Sequence, residues 1–180
     1  MTELERRAEE FVAPYWNAIH LLNTRDWLVR LEPSAPEALR VAAVVHDCER
    51  MFPGGPQTDP SAPHDDQTYL REHSERSARF AGDWLRSEGA DTSLVDEVEK
   101  LVRLHETGGT PAADVLQAAD SISFLDVNDC VVLKWLADGR ATRAQARAKL
   151  DHMFGRIRVE RARELALPFY ERSVARLEAA

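Results

Sequence analysis

The chain has 180 residues, of which 44% are hydrophobic and 30% charged, and a formal net charge of −8 at pH 7, which suits one globular domain with a buried core. The negative charge argues against a nucleic-acid polymer as a partner, because that ligand requires a basic surface. No apolar run is long enough to span a membrane and the charged segment 1–7 does not resemble a signal peptide, so we expect a cytoplasmic protein with no membrane partner.

Helical periodicity runs through almost the whole chain, and alternating strand-like patterns are absent. We predict an all-α fold in which residues 1–180 form a single helical bundle. The predicted helices cover 3–23 with an interruption at Pro14, 26–31, 36–50, 66–87, 93–105, 111–121, 128–137, 142–152 and 156–178. Residues 51–66 are rich in Pro, Gly and Asp, which indicates a long loop. Loops of this length in compact domains are usually functional or disordered.

Four of the six histidines lie on, or end, an apolar helical stripe: His20, His46, His73 and His105. Spacings of three and four residues place each imidazole on the inward face of its helix. Inward imidazoles from four helices can meet at one point in a bundle, as metal ligands do. One such histidine is more often a hydrogen-bonded core residue, but four would each need a buried partner.

Two carboxylates belong to the same pattern. Asp47 follows His46 after the wholly apolar segment 41–45, and Asp120 lies one turn after Leu116. A buried carboxylate without a partner is costly, so a bound cation is a natural explanation. Imidazole and carboxylate ligands together suit iron, manganese, cobalt, nickel or zinc. The two cysteines form no CxxC pair, which argues against a disulfide scaffold and against a cysteine-ligated zinc site.

The ordered set of these residues resembles the HD-domain superfamily of metal-dependent phosphohydrolases, in the subgroup with two additional histidines. The likeness spans about 19–125 and extends to the flanking segments 43–47, 72–78 and 118–122. It implies an HD-type helical bundle with its metal-ligand core at about 19–125 and the helices of 128–180 packed on that core.

The resemblance also implies a role for each ligand. A first metal ion would be held by His20, His46, Asp47 and Asp120, and Asp47 would bridge to a second ion, held also by His73 and His105. We therefore expect two divalent transition metal ions per chain, chosen from Fe, Mn, Co, Ni and Zn. A water or hydroxide between them would attack a small anionic substrate, such as a nucleotide or sugar phosphate.

Arg50 is the further catalytic and substrate-binding candidate beside Asp47. It lies one helical turn after His46, from where a guanidinium can reach the same face and bind phosphate in a bidentate manner. In several HD subfamilies that this sequence resembles, a lysine occupies the equivalent offset. A solvent-facing arginine at a helix end is the alternative interpretation, and Glu49 is interpreted as a surface partner.

Several other residues receive weaker interpretations. The segment 64–66 is interpreted as a helix cap or a lid, and residues 52–66 as the place where the substrate is selected. Cys48 is expected to be packed. The four tryptophans are interpreted as core residues. The arginines of 156–163 form a basic run that is usually solvated, although one of them could fold back onto an anionic substrate.

Three alternatives to a phosphohydrolase stay open. The same ligand pattern is similar to that of the mixed-valence di-iron HD oxygenases, which cleave C–C or C–P bonds. A binding or regulatory module could keep the metals without turnover, and four core histidines without metal are the structural alternative. The HD-GYP signature and the long insertion of large dNTP triphosphohydrolases are absent. The sequence is compatible with a homodimer but does not determine the oligomeric state, the native metal or the substrate.

Overall fold

The computed structural model describes all residues, 1–180, and it contains nine α-helices and no β-strand. The predicted all-α, single-domain fold is therefore confirmed. The helices are α1 (Glu3–Val12), α2 (Ala18–Leu31), α3 (Glu37–Val45), α4 (Gln67–Ser87), α5 (Thr92–Leu104), α6 (Pro111–Ser123), α7 (Asp129–Ala137), α8 (Arg143–Gly155) and α9 (Glu160–Ala179). A 3₁₀ turn, Cys48–Met51, follows α3, and a π-helical turn, Phe124–Asn128, joins α6 to α7. None of the helices is both long and apolar enough to cross a bilayer.

The main differences from the predicted helices lie in the first 50 residues. Helix α1 ends at Val12, two residues before Pro14, because proline lacks a backbone N–H and restricts the residue before it. Helix α2 is then continuous over Ala18–Leu31, so the predicted boundary between helices 3–23 and 26–31 is wrong. The helix predicted over 36–50 ends at Val45 and gives way to the 3₁₀ turn.

One continuous apolar core holds the bundle together, and α3 lies at its centre. Residues Val41, Ala42, Ala43, Val44 and Val45 are fully buried, and α3 packs against α1, α2, α5 and α6. Helices α8 and α9 pack on α6 and on each other, and they add Leu150 and Leu177 to the same core. Full burial of such a leucine contributes roughly 1.5–3 kcal/mol relative to exposure.

The tryptophans divide into packed and exposed residues. Trp27 and Trp135 are buried, and Trp84 stacks on Phe11 with ring centroids 4.8 Å apart. Trp16 is 74% exposed, so its predicted place in the core is wrong. It lies in the turn between α1 and α2, where the helical spacing that relates it to His20 does not apply.

The long loop ends as the sequence indicates, in a helix cap. Asp66 accepts hydrogen bonds from the backbone N–H groups of Thr68, at 2.9 Å, and Tyr69, at 3.4 Å, at the start of α4. This confirms the cap interpretation of 64–66. The cap fixes where α4 begins, and His73 lies on the inward face of that helix, two turns further on.

Candidate metal centre

The four inward histidines meet in the interior of the bundle. His20 lies in the first turn of α2, His73 lies in α4, and His46 and His105 directly follow the last residues of α3 and α5. All four are between 0 and 3% exposed. Their rings form a continuous chain, with centroids 5.5 Å apart for His20 and His46, 5.1 Å for His46 and His105, and 5.3 Å for His73 and His105.

His46 and His105 share one local geometry. Each caps the C-terminus of its helix and donates its Nδ1 proton to the backbone carbonyl three residues earlier, that of Ala43 at 2.9 Å and that of Val102 at 2.7 Å. Because a carbonyl oxygen only accepts, the proton of each neutral ring is on Nδ1, and Nε2 has a free lone pair.

His20 and His73 are oriented through Nδ1 as well. His20 Nδ1 lies 2.9 Å from the Ser123 hydroxyl, which itself donates to the backbone carbonyl of His20 and so accepts from the ring. His73 Nδ1 donates to Glu49 Oε1 at 3.0 Å. Partners of this kind fix the tautomer of metal-binding histidines and leave Nε2 as the ligand atom.

Asp47 and Asp120 lie where the Nε2 atoms converge. Asp120 Oδ1 is 3.1 Å from Nε2 of His20 and 3.5 Å from Nε2 of His46. Asp47 Oδ1 is 2.7 Å from Nε2 of His73 and 3.7 Å from Nε2 of His105. The structure thus brings all six predicted ligand residues into one cluster.

The cluster divides into two groups that share Asp47. Potential ligand atoms of His20, His46 and Asp47 lie within 4.8 Å of one another, and so do those of Asp47, His73 and His105. The Nε2 atoms of His46 and His105 are buried without any hydrogen-bond partner. A buried polar atom in that state costs about 1–3 kcal/mol, and a cation would satisfy it. The residues therefore fit a divalent transition metal ion.

Ionisation of the histidines depends on their carboxylate neighbours. Burial alone would lower the pKa of His46, but the nearby carboxylates of Asp120, 3.5 Å from Nε2, and of Asp47 outweigh burial and raise it to about 9. Burial lowers the pKa of His105 to about 4, and the charge of Glu106 opposes that shift only in part. His105 is therefore neutral at pH 7, whereas His46 would release a proton to a metal ion.

Arginines and histidines together keep the two aspartates ionised. Burial would raise the pKa of Asp47, but the charges of Arg50 and His73 and the hydrogen bond from His73 jointly outweigh burial and hold it well below its usual value. Arg156, together with the nearby His20 and His46, has the same effect on the pKa of Asp120. Carboxylates that stay ionised inside a protein are suited to bind cations.

Glu49 is a site residue that the sequence does not reveal, and its expected surface position is wrong. It is 1% exposed, and it accepts hydrogen bonds from His73 Nδ1 and, at 3.1 Å, from Arg76 Nε. The 3₁₀ turn directs Glu49 inward and also buries Cys48, which confirms the expected packing of that thiol. Burial raises the pKa of Cys48.

A cavity of about 400 Å³ opens beside the cluster. Its wall at the metal-ligand end contains His20, Asp47 and Asp120. Apolar and aromatic side chains form another part of the wall: Tyr15, Trp16, Phe124, Val131, Trp135 and Met153. The loop that precedes α4 closes one side through Gln57, Thr58, Pro63 and His64, so this loop is placed to contact a bound molecule.

Three cationic side chains also line the cavity. Arg50 donates to Asp47 Oδ2 at 3.2 Å and to the Tyr69 hydroxyl at 2.7 Å, so it faces the cavity rather than solvent. Arg156 donates hydrogen bonds to Asp120 and to Glu106. Among the arginines of 156–163, it is therefore the one whose side chain reaches the cluster. Lys149 is the third, and burial lowers its pKa to about 8 against the opposing charge of Glu106.

Lys149 and Glu106 are further site residues that sequence reasoning missed. Lys149 lies in α8 with no local pattern that links it to the histidines. Glu106 directly follows His105, and that adjacency was the one signal that could have pointed to it.

A scan against protein-family models found no match for this sequence. Searches of curated proteins and of solved structures found none either. The functional proposal therefore depends on the residues of the site.

Proposed function

We propose that the chain is a metal-dependent hydrolase of a small phosphate ester. The observation that supports it most is the cationic wall formed by Arg50, Lys149 and Arg156 in the same cavity as the histidine and aspartate cluster. Guanidinium and ammonium groups are the usual phosphate-binding side chains of proteins. The ligand order, which resembles that of the HD-domain superfamily, supports the same proposal.

The charges around the cluster favour an anionic substrate. Four carboxylates are ion-paired with, or adjacent to, four cationic side chains: Asp47, Glu49, Glu106 and Asp120 against Arg50, Arg76, Lys149 and Arg156. Their formal charges cancel, so any divalent cation would leave the centre positive although the whole chain carries −8. A positive centre in a cavity attracts a phosphate dianion.

Each residue has a distinct task in this proposal. Divalent ions held by the cluster would supply Lewis-acid stabilisation and lower the pKa of water towards neutrality. Arg50 and Lys149 face the cavity and bind the non-bridging phosphate oxygens. Arg156 orients Asp120 and Glu106. Tyr15 and the exposed Trp16 line the same cavity, where they are placed to contact the organic part of the substrate.

The test is phosphate release from a panel of nucleotides and small phosphoesters, with Mn²⁺, Fe²⁺, Co²⁺, Ni²⁺ and Zn²⁺ supplied one at a time. We expect release that requires a metal and is lost in Asp47→Ala. Arg50→Gln is expected to raise KM by about 10–100-fold, the equivalent of about 1.5–3 kcal/mol for hydrogen bonds to a charged group. Glu164→Gln, at an exposed position of α9, is the matched control.

Two results would contradict the hydrolase. Metal-bound protein that releases no phosphate but consumes oxygen when loaded with iron would indicate the di-iron oxygenase. Tight binding of a phosphoester without turnover under any metal would indicate a binding module.

A further inference from the structure

We propose that Glu106 is a metal ligand, and that it completes the second metal position as Asp120 completes the first. This inference rests on the metal centre proposed above and extends it. The first group has two histidines, the shared Asp47 and a carboxylate of its own, Asp120. The second group, His73 and His105 with Asp47, has no such carboxylate among the six predicted ligands.

The position of Glu106 matches that missing ligand. Its Oε1 atom is 3.7 Å from Nε2 of His105 and 4.0 Å from Nε2 of His73. Asp120 Oδ1 has comparable distances, 3.1 and 3.5 Å, to the two histidines of the first group. Donor atoms that bind one ion at about 2.0–2.2 Å lie about 3–4 Å from each other. Both carboxylates therefore occupy ligand positions relative to their histidine pairs.

Arg156 holds Glu106 in the same way as it holds Asp120. Its guanidinium binds Oδ2 of Asp120 and Oε2 of Glu106, and so leaves Oδ1 and Oε1 directed at the histidines. The Arg156 side chain is only 8% exposed and that of Glu106 15%, so these contacts lie inside the protein. One guanidinium that binds two carboxylates through separate nitrogens restricts the orientation of both through charge-assisted hydrogen bonds.

An unpartnered nitrogen lies beside Glu106. His105 Nε2 is fully buried and has no hydrogen-bond partner, and Glu106 Oε1 lies 3.7 Å away, too far for a hydrogen bond. Two groups with lone pairs, at ligand spacing and without a proton between them, are the arrangement that a cation would bridge. A simple ion pair between Glu106 and Arg156 would leave His105 Nε2 unexplained.

The experiment is a titration of the metal-stripped full-length chain with Mn²⁺, read by calorimetry and by the electron paramagnetic resonance of bound Mn²⁺. Wild type is expected to bind two ions per chain. Glu106→Gln is expected to leave the first affinity unchanged within about threefold and to weaken the second by at least 10–100-fold. His105→Gln should reproduce that loss, and Glu164→Gln should bind like wild type.

Two outcomes of the titration would overturn the inference. One is that wild type binds a single Mn²⁺ ion per chain. The other is that Glu106→Gln binds the second ion as tightly as wild type. A further variant, Arg156→Met, separates ligation from orientation, because it should weaken both positions whereas Glu106→Gln weakens only one. Equal weakening of both positions by Glu106→Gln would reduce Glu106 to a partner of Arg156. If Glu106→Gln does not fold, Glu106→Ala, which also removes the carboxylate, takes its place with the same expectations.

Failure of this inference is distinguishable from failure of the proposed function. Two bound ions with a Glu106-dependent second affinity but no phosphate release would leave the ligand assignment intact and remove the hydrolase. Phosphate release with one bound ion would keep the hydrolase and overturn the ligand assignment.

Discussion

Replacing Glu49 with alanine removes the carboxylate that orients His73. Glu49 Oε1 accepts the His73 Nδ1 proton at 3.0 Å, and both residues are buried. Outer partners of metal-binding histidines contribute about 10–100-fold to metal affinity, which corresponds to about 1.4–2.7 kcal/mol. We expect that loss at the second metal position and none at the first, because the ligands of the first do not contact Glu49.

The same substitution should destabilise the metal-free chain. Breaking a buried ion pair costs about 3–5 kcal/mol, but Arg76 is 18% exposed and keeps a hydrogen bond of 2.5 Å to the carbonyl of Pro53. We therefore expect a smaller loss of unfolding free energy than that range, about 2–3 kcal/mol, measured by urea unfolding. Glu49→Gln keeps a neutral hydrogen-bond acceptor. It should therefore lose less metal affinity at the second position and less unfolding free energy than Glu49→Ala.

Metal affinity is measured by competition with a chelator at fixed pH, on variants that circular dichroism shows to be folded. Equal affinity at the second position in Glu49→Ala and wild type would show that the Glu49 hydrogen bond does not orient His73 for metal binding.

Three further predictions follow from the cavity and the core. Trp16→Ala should change the free energy of unfolding by less than about 0.5 kcal/mol, because Trp16 is 74% exposed, but it should raise KM; an unchanged KM would remove Trp16 from the substrate site. Because burial lowers the pKa of Lys149 to about 8, this residue is a cation below that pH and loses its charge above it. Phosphoester KM should therefore rise above pH 8, and Lys149→Arg should abolish the rise; identical pH profiles would contradict this. A thiol reagent should label only Cys130 in the native chain and also Cys48 after unfolding, because Cys130 is exposed and Cys48 is buried; native labelling of both would contradict the packing of α3 and its 3₁₀ turn.

Most members of the candidate metal cluster could be predicted because they have a local signature. His46, His73 and His105 lie at helical spacing from apolar residues, and Asp47 follows an apolar run. Such periodicity fixes the face of a helix on which a side chain lies. His20 was selected through its spacing from Trp16, which the structure does not keep. The resemblance to HD-domain proteins implied how these residues divide between two metal ions, and that division stays a prediction.

Lys149 could not be predicted, and the sequence left open which arginine of 156–163 reaches the site, because both depend on how distant segments pack. Lys149 and Arg156 reach the cluster from α8 and from the residue after it, more than one hundred residues along the chain from His46. No local pattern encodes such an approach. Glu49 was misplaced because a continuous α-helix would turn it outward, whereas the 3₁₀ turn directs it inward.

The most direct test of the metal centre is anomalous X-ray diffraction from crystals of the chain grown with Mn²⁺ or Zn²⁺. We expect two anomalous peaks inside the bundle, one at His20, His46 and Asp120 and the other at His73 and His105, with Asp47 between them. Crystals with no peak in the bundle, or with peaks only at surface carboxylates, would contradict the metal centre and with it the proposed hydrolase.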